Sequence, residues 1–282
     1  MTSQRSAWPD RMKVGRIPYI NCYPVYGAID RGLIPFDADL VDGIPTVLNR
    51  MMANSALDVS VVSAVEYARD SERYLLLPDL AISCDGPVRS VMLFSRVPAE
   101  ELGSQSVVVS RSSMTSVALL ELLFENVWHS RPDFVPGDAE IRDIGVTDSH
   151  AARLVIGDAA LVLSADGRYP YVYDLGEVWK QWTDLPFVFA VWVARRDVDV
   201  ARALGVHASL IKSRDWGVAH HPILAQQAHD ATGVSVDKCS EYLAGLDYGL
   251  SYPHLAGLTE FFRRLVKRGR VPNGTLSFLT AA

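Results

Sequence analysis

The sequence predicts a two-lobed α/β protein, each lobe a mainly parallel sheet flanked by helices, with two crossing strands as the hinge between the lobes. Three observations carry this expectation. Short apolar, β-branched runs alternate with segments of helical periodicity, the pattern of parallel sheet covered by helices. The alternation restarts near the middle of the chain. After about residue 194 the pattern is helical only.

Residues 12–17 read as a strand, and Pro24 suits the first position of a helix running to about Gly32, so Asn21 falls in a strand-to-helix loop. Residues 46–52 read as helix and 57–62 as a nearly all-apolar buried strand; Ser63 follows, before a helical stretch at 65–69. Strands are expected at 75–78 and 91–95. The second round gives a strand at 106–110, a polar loop at 111–113, and a helix at 114–128 with Val117, Leu120, Phe124 and Val127 on one stripe. A further buried strand is expected at 159–163, ending at Ser164. LDVSVVSAVEY and GDAALVLSADG each carry a short apolar run ending in serine, which suggests two similar half-molecules.

The last strand is expected at 187–194. Helices follow at 200–212, 216–231, 236–246 (capped by Ser235) and 255–268, which ends at Gly269. This order fits a first lobe made of residues 1–96 and 191–282, with a second lobe, 97–190, inserted into it. The strands at 91–95 and 187–194 would be the crossings.

Composition narrows the function. The 282 residues, 49% hydrophobic and 21% charged, suffice for two domains of about 100–150 residues. A net charge of -6 leaves no positive field to attract nucleic acid or anionic lipid, so neither is an expected partner. Cys22, Cys84 and Cys239 are too scattered for a zinc site or a disulfide framework. The first residues include arginines but lack the apolar run of about 7–15 residues of a secretory signal, and the sequence has no apolar stretch of about 18 residues, so a cytoplasmic protein is expected.

In such an architecture, ligands bind between the lobes, where the loops after the strands converge. The segment Ser110-Arg111-Ser112-Ser113-Met114-Thr115-Ser116 has five hydroxyl residues in seven positions at a helix start, where unpaired N–H groups and the dipole favour an anion. Ser112, Ser113, Met114 and Thr115 are therefore candidate ligand-binding residues, although Ser112 or Ser113 also reads simply as a helix cap. Ser63, after a buried strand, and Ser90, beside a crossing, are further candidates. Asp158 reads as a cap or a group behind the site. Tyr19, Tyr23, Phe187 and Phe189 could wall a cleft around a planar ring or belong to the core. His220, His221 and His229 lack a carboxylate at ligand spacing, and the basic run 263–270 suits a helix C-terminus. GxSxG, Walker and GxGxxG motifs are absent, so covalent serine catalysis, nucleotide binding and dinucleotide redox chemistry lack support.

The segments VGRIPYINCYP, LDVSVVSAVEYA, GPVRSVMLFSR, SRSSMTS and DLPFVFAVWVA, in this order over about residues 14–268, resemble the chorismate dehydratases of the futalosine route to menaquinone. The resemblance implies a periplasmic-binding-protein-like fold of the second type and a hydro-lyase that converts chorismate to 3-[(1-carboxyvinyl)oxy]benzoate and water. The sequence gives no reason to invoke a metal or an organic cofactor. The resemblance places Asn21 at the family's catalytic asparagine, and the partner is a small dicarboxylate, with the protein a monomer or weak homo-oligomer. Two other readings stay open: a sister lyase that forms 1,4-dihydroxy-6-naphthoate, whose opening loop differs from Ile20-Asn21-Cys22-Tyr23-Pro24, and a non-catalytic binding protein.

The chemistry that this resemblance implies constrains the residues further. Loss of the C3 proton and C4 hydroxide makes the chorismate ring aromatic, and donors that hold the ring carboxylate would stabilise the dienolate. Asn21 cannot take a proton at neutral pH. The reading preferred on these grounds is that the substrate's enolpyruvyl carboxylate removes the C3 proton while Asn21 orients it, with Phe187 and the serines gripping the guest. Sequence names no general acid for the hydroxide.

Overall fold

The computed structural model describes residues 11–111, 113–137 and 150–281. Its strands in chain order are β1 (Met12–Arg16), β2 (Ala38–Asp42), β3 (Val59–Ser63), β4 (Tyr74–Cys84), β5 (Val91–Ser95), β6 (Ser106–Ser110), β7 (Asp133–Gly137), β8 (Ala152–Ile156), β9 (Tyr171–Asp174) and β10 (Phe187–Arg195). The helices are α1 (Tyr23–Asp30), α2 (Pro45–Ala53), α3 (Ala64–Arg69), α4 (Met114–Asn126), α5 (Asp158–Asp166), α6 (Leu175–Thr183), α7 (Val200–Ala219), α8 (His221–Thr232), α9 (Val236–Ala244) and α10 (Tyr252–Lys267).

Two five-stranded sheets form, in the orders β2-β1-β3-β10-β4 and β7-β6-β8-β5-β9. The two orders are the same topology: β1, β2 and β3 correspond to β6, β7 and β8, while β10 and β4 correspond to β5 and β9. In each sheet the first three strands are parallel and the last two ladders antiparallel. The sheets are therefore mixed rather than mainly parallel. The strand that enters each sheet after a crossing, β5 or β10, runs against the strands beside it.

Two similar halves are thus present, but the matching segment is not the one expected. Residues 159–163 are helical, inside α5, and the strand equivalent to β3 is β8. The run Ala-Ala-Leu-Val-Leu is dominated by good helix formers. Gly157, at φ 63° and ψ −147°, breaks the chain between strand and helix. The expected break at 213–215 is also absent: α7 continues to Ala219 and ends where Pro222 opens α8.

Strand β5 pairs only within the second sheet and β10 only within the first. The chain therefore passes between sheets just ahead of these strands, at residues 85–90 and after α6. The first passage is tied to the start of α6. The Asp174 carboxylate, at the end of β9, accepts N–H groups from Val88 and Arg89 in the first passage and from Gly176 and Glu177 at the start of α6.

β3 is buried at every residue and β10 through its first eight, consistent with sheet covered on both faces. The first sheet is covered in part by α1 against α7, which pack tightly at Gly217, where an added Cβ would lie 2.2 Å from the Pro24 carbonyl oxygen and 2.4 Å from its Cα. Both obstacles are backbone, so neither can rotate away. Gly217→Ala is expected to destabilise the protein by about 3 kcal/mol, a fall in melting temperature of roughly 6–12 °C measurable by calorimetry. An unchanged melting temperature would contradict this packing.

Candidate active site

The loops after β1, β3, β6 and β8 meet at a cavity of about 70 Å³ between the two sheets. It is lined by Ile17, Tyr19, Asn21, Pro45, Ser63, Ile82, Val88, Ser90, Val91, Ser113, Ser116, Ile156, Gly157, Phe189 and Ala190. None of these carries a charge. The polar groups are an amide, four serine hydroxyls and a phenol on an apolar wall. At about 10–15 Å³ per water, the space admits a handful of waters, so a ring-bearing ligand enters only when the lobes part.

Each polar group is positioned by its local structure. Asn21 lies in a 3-10 turn, Ile20–Cys22, that links β1 to α1. Its amide oxygen is buried without a hydrogen-bond partner, a condition that costs about 1–3 kcal/mol and marks the point where a ligand donor is wanted. Ser63 caps α3: its hydroxyl accepts the Glu66 N–H at 3.2 Å and faces the Asn49 amide at 3.4 Å. Ser113 caps α4, accepting the Ser116 N–H at 3.3 Å and donating to the Ser116 hydroxyl at 2.7 Å. Capping and facing the cleft are thus the same placement, and the α4 N-terminus lies at the cavity edge. Ser90 is buried, its hydroxyl donating to the Val88 carbonyl at 3.4 Å.

Six of the sequence candidates therefore share one cavity: Asn21, Ser63, Ser90 and Ser113, with Tyr19 and Phe189 among its walls. Three others lie elsewhere. Thr115 is fully buried behind the wall, its hydroxyl accepting the Val65 N–H from the opposite lobe at 3.0 Å. Met114 points away from the cleft, its sulfur accepting from Arg69 at 3.0 Å. Phe187 does not line the cavity; its ring lies 4.5 Å from that of Phe189, which does, and packs on Trp179 and Phe261. Alternation alone would put these two phenylalanines on one face; a register shift against β4 between Val188 and Ala190 falls between them and re-aims the strand at the cleft. Ser112 lies outside the described residues. The sequence reading did not single out Ser116 or Gly157 as lining residues. Ser116 was detectable as the third residue after the Ser113 cap, whereas Gly157 was hidden by the misplaced strand.

The two acid–base groups that follow Asn21 in sequence are held protonated. Cys22 is fully buried, and burial, followed by the charge of Asp158, pushes its thiol up. Burial does the same for the Tyr23 phenol, with Asp158 again the next cause. Among the described residues no group of histidines, cysteines and carboxylates is arranged to hold a metal. No helix of the described residues is long and apolar enough to cross a membrane.

Two mixed sheets of identical order, with a cleft between them at the strand ends, define a two-lobed α/β protein of the periplasmic-binding-protein type. Solved structures agree at the level of fold. A crystal structure from Archaeoglobus fulgidus aligns with a TM-score of 0.73 at 18% identity, covering 92% of this chain and 98% of the other. The alkanesulfonate-binding protein of Xanthomonas axonopodis aligns at 0.68 and 12%, covering 96% and 97%. The chain belongs to the menaquinone-biosynthesis family, whose model matches residues 12–267. Its relatives include a chorismate dehydratase of Thermus thermophilus, 30% identical over 241 residues, 80% of this chain and 86% of that protein. Another is a chorismate dehydratase of Campylobacter jejuni, 27% identical over 183 residues, 64% of this chain and 66% of the relative.

Gly157 lies on the second lobe under the Tyr19 ring of the first; an added Cβ would sit 3.3 Å from that ring, at a φ of +63° that side chains rarely adopt. Gly157→Ala is expected to cost about 1–3 kcal/mol of stability and to hold the lobes apart. Small-angle scattering should then give a larger radius of gyration than wild type. Identical melting and scattering curves would contradict the interlobe packing.

Proposed function

We propose that this chain is a chorismate dehydratase, a carbon–oxygen lyase that removes water from chorismate to give 3-[(1-carboxyvinyl)oxy]benzoate in menaquinone biosynthesis. The relatives named chorismate dehydratase support the activity. The observation that supports the mechanism is a cleft with a buried, unpartnered Asn21 amide oxygen and neutral hydroxyls, with no charged side chain in its lining.

In this reading Ser113, Ser116 and the α4 N-terminus hold one substrate carboxylate, and Ser63 and Ser90 contribute further donors. Phe189 and Tyr19 wall the ring, and Phe187 supports Phe189 from behind. Binding the ring carboxylate through donors aimed at it stabilises the dienolate that forms when C3 loses its proton. The enolpyruvyl carboxylate of the substrate takes that proton, and the Asn21 side chain orients this carboxylate, its oxygen satisfied by a substrate hydroxyl. The C4–O bond then breaks, the electron pair of the C3–H bond completes the aromatic ring, and the hydroxide leaves and takes up the proton as water. The reaction runs on free chorismate in the cytoplasm, with the chain a monomer or weak homo-oligomer; the net charge of -6 supports the exclusion of nucleic acid and anionic membrane as partners.

Incubation of the protein with chorismate should produce the benzoate, detected by chromatography and its aromatic absorbance. Asn21→Ala should lower kcat about 100-fold or more, as expected of a group that sets near-attack geometry. No benzoate from the wild-type protein would overturn the activity, and an Asn21→Ala variant within about threefold of wild type would remove Asn21 from the mechanism.

A further inference from the structure

The turn that carries Asn21 is not held by its own lobe alone. It is three residues long and has no side-chain cap. The N–H of Ile20, the residue immediately before Asn21, is instead accepted at 3.2 Å by Oδ1 of Asp158. Asp158 is the first residue of α5 and belongs to the second lobe, following β8. The hydrogen bond therefore spans the cleft and ends one residue from the amide proposed to orient the substrate.

The surroundings of Asp158 are built to bring it there. Gly157 adopts a backbone conformation suited to glycine, its N–H donates to the Ser90 carbonyl at 2.7 Å, and the Tyr19 ring rests on it. Ser90 and Gly157 both line the cavity, while Asp158 does not. Its carboxylate stands behind the wall, where it does not face a dianionic guest directly. Its charge nonetheless reaches the turn, since it contributes to the upward shifts of Cys22 and Tyr23.

We propose that Asp158 is a positioning residue for Asn21: by accepting the Ile20 N–H across the cleft, it fixes the Ile20–Cys22 turn only when the lobes are shut. With the lobes apart, Ile20 loses this acceptor and the turn loses its external brace. Closure and assembly of the catalytic geometry thus become one event, so that the substrate is not committed before water is excluded. The inference rests on the dehydratase reading with Asn21 in its orienting role.

The test is a kinetic cycle on chorismate with wild type, Asp158→Ala, Asp158→Asn, Asn21→Ala and the double variant Asp158→Ala/Asn21→Ala. Asp158→Ala removes the acceptor and should lower kcat by more than about tenfold with KM little changed, as a misplaced orienting group would. Asp158→Asn keeps an acceptor oxygen in the same place and should stay within about tenfold of wild type. The double variant should fall less than about threefold below Asn21→Ala, because a residue acting through Asn21 has nothing left to position. Multiplying penalties, an Asp158→Ala effect under tenfold or confined to KM, or a larger loss in Asp158→Asn would each overturn the proposal. If Asp158→Ala does not fold by thermal melting, the Asp158→Asn comparison and its double variant with Asn21→Ala decide on the same thresholds. Failure of the dehydratase reading is separate, since it appears as absent product in the wild type.

Discussion

Four parallel strands, β1 and β3 in one sheet and β6 and β8 in the other, end at the same cleft, and every polar group of the site except Ser90, which lies in the first passage, follows from that arrangement. A strand that passes into a helix leaves unpaired N–H groups and a capping side chain at its carboxyl end. Two sheets of the same order, joined by passages at residues 85–90 and after α6, turn those ends towards one another. Ser63 and Ser113 are caps first and cleft hydroxyls as a consequence. Asn21 occupies the equivalent loop after β1, and Gly157 the one after β8.

On the proposed dehydratase reading, in which the substrate is a dianion, the absence of charge among the cleft-lining residues has a chemical meaning. A guanidinium beside the enolpyruvyl carboxylate would depress its basicity and blunt the group that must remove the C3 proton. Hydroxyls, an amide and a helix N-terminus bind carboxylates while lowering their basicity less. The capping hydroxyls and the helix N-terminus are also fixed by the local fold of their own lobes, so little reorganisation accompanies charge movement towards the ring carboxylate. Cys22 and Tyr23, close to Asn21 in sequence, are held protonated by burial and do not compete as bases.

The alternation of β-branched runs and amphipathic stretches made the two-lobed α/β architecture legible, because each strand is short, apolar and flanked by helix signals. The hydroxyl-rich start of α4 was legible for the same reason: its caps are local. Features that depend on contacts between distant segments were not. Residues 159–163 are as apolar as a strand, and only the glycine conformation at Gly157 and the pairing of β8 with β5 and β6 place strand and helix correctly. Sequence could not choose between Phe187 and Phe189, since which one faces the cleft depends on the register of β10 against β3 and β4. Thr115 and Met114 follow a cap but point elsewhere, one to Val65 of the opposite lobe and the other to Arg69. The bond from Ile20 to Asp158 spans 138 positions and has no local signal at all.

The account stands or falls on the source of the base. The most direct measurement is the single-turnover rate of the wild-type protein, at saturating concentration, on chorismate whose enolpyruvyl carboxylate is masked as its methyl ester while the ring carboxylate stays free. If the substrate supplies its own base, the bound ester yields no aromatic product above the uncatalysed background. Formation of the aromatic ester at a rate close to that of chorismate would mean that a protein group removes the C3 proton, and would contradict the mechanism.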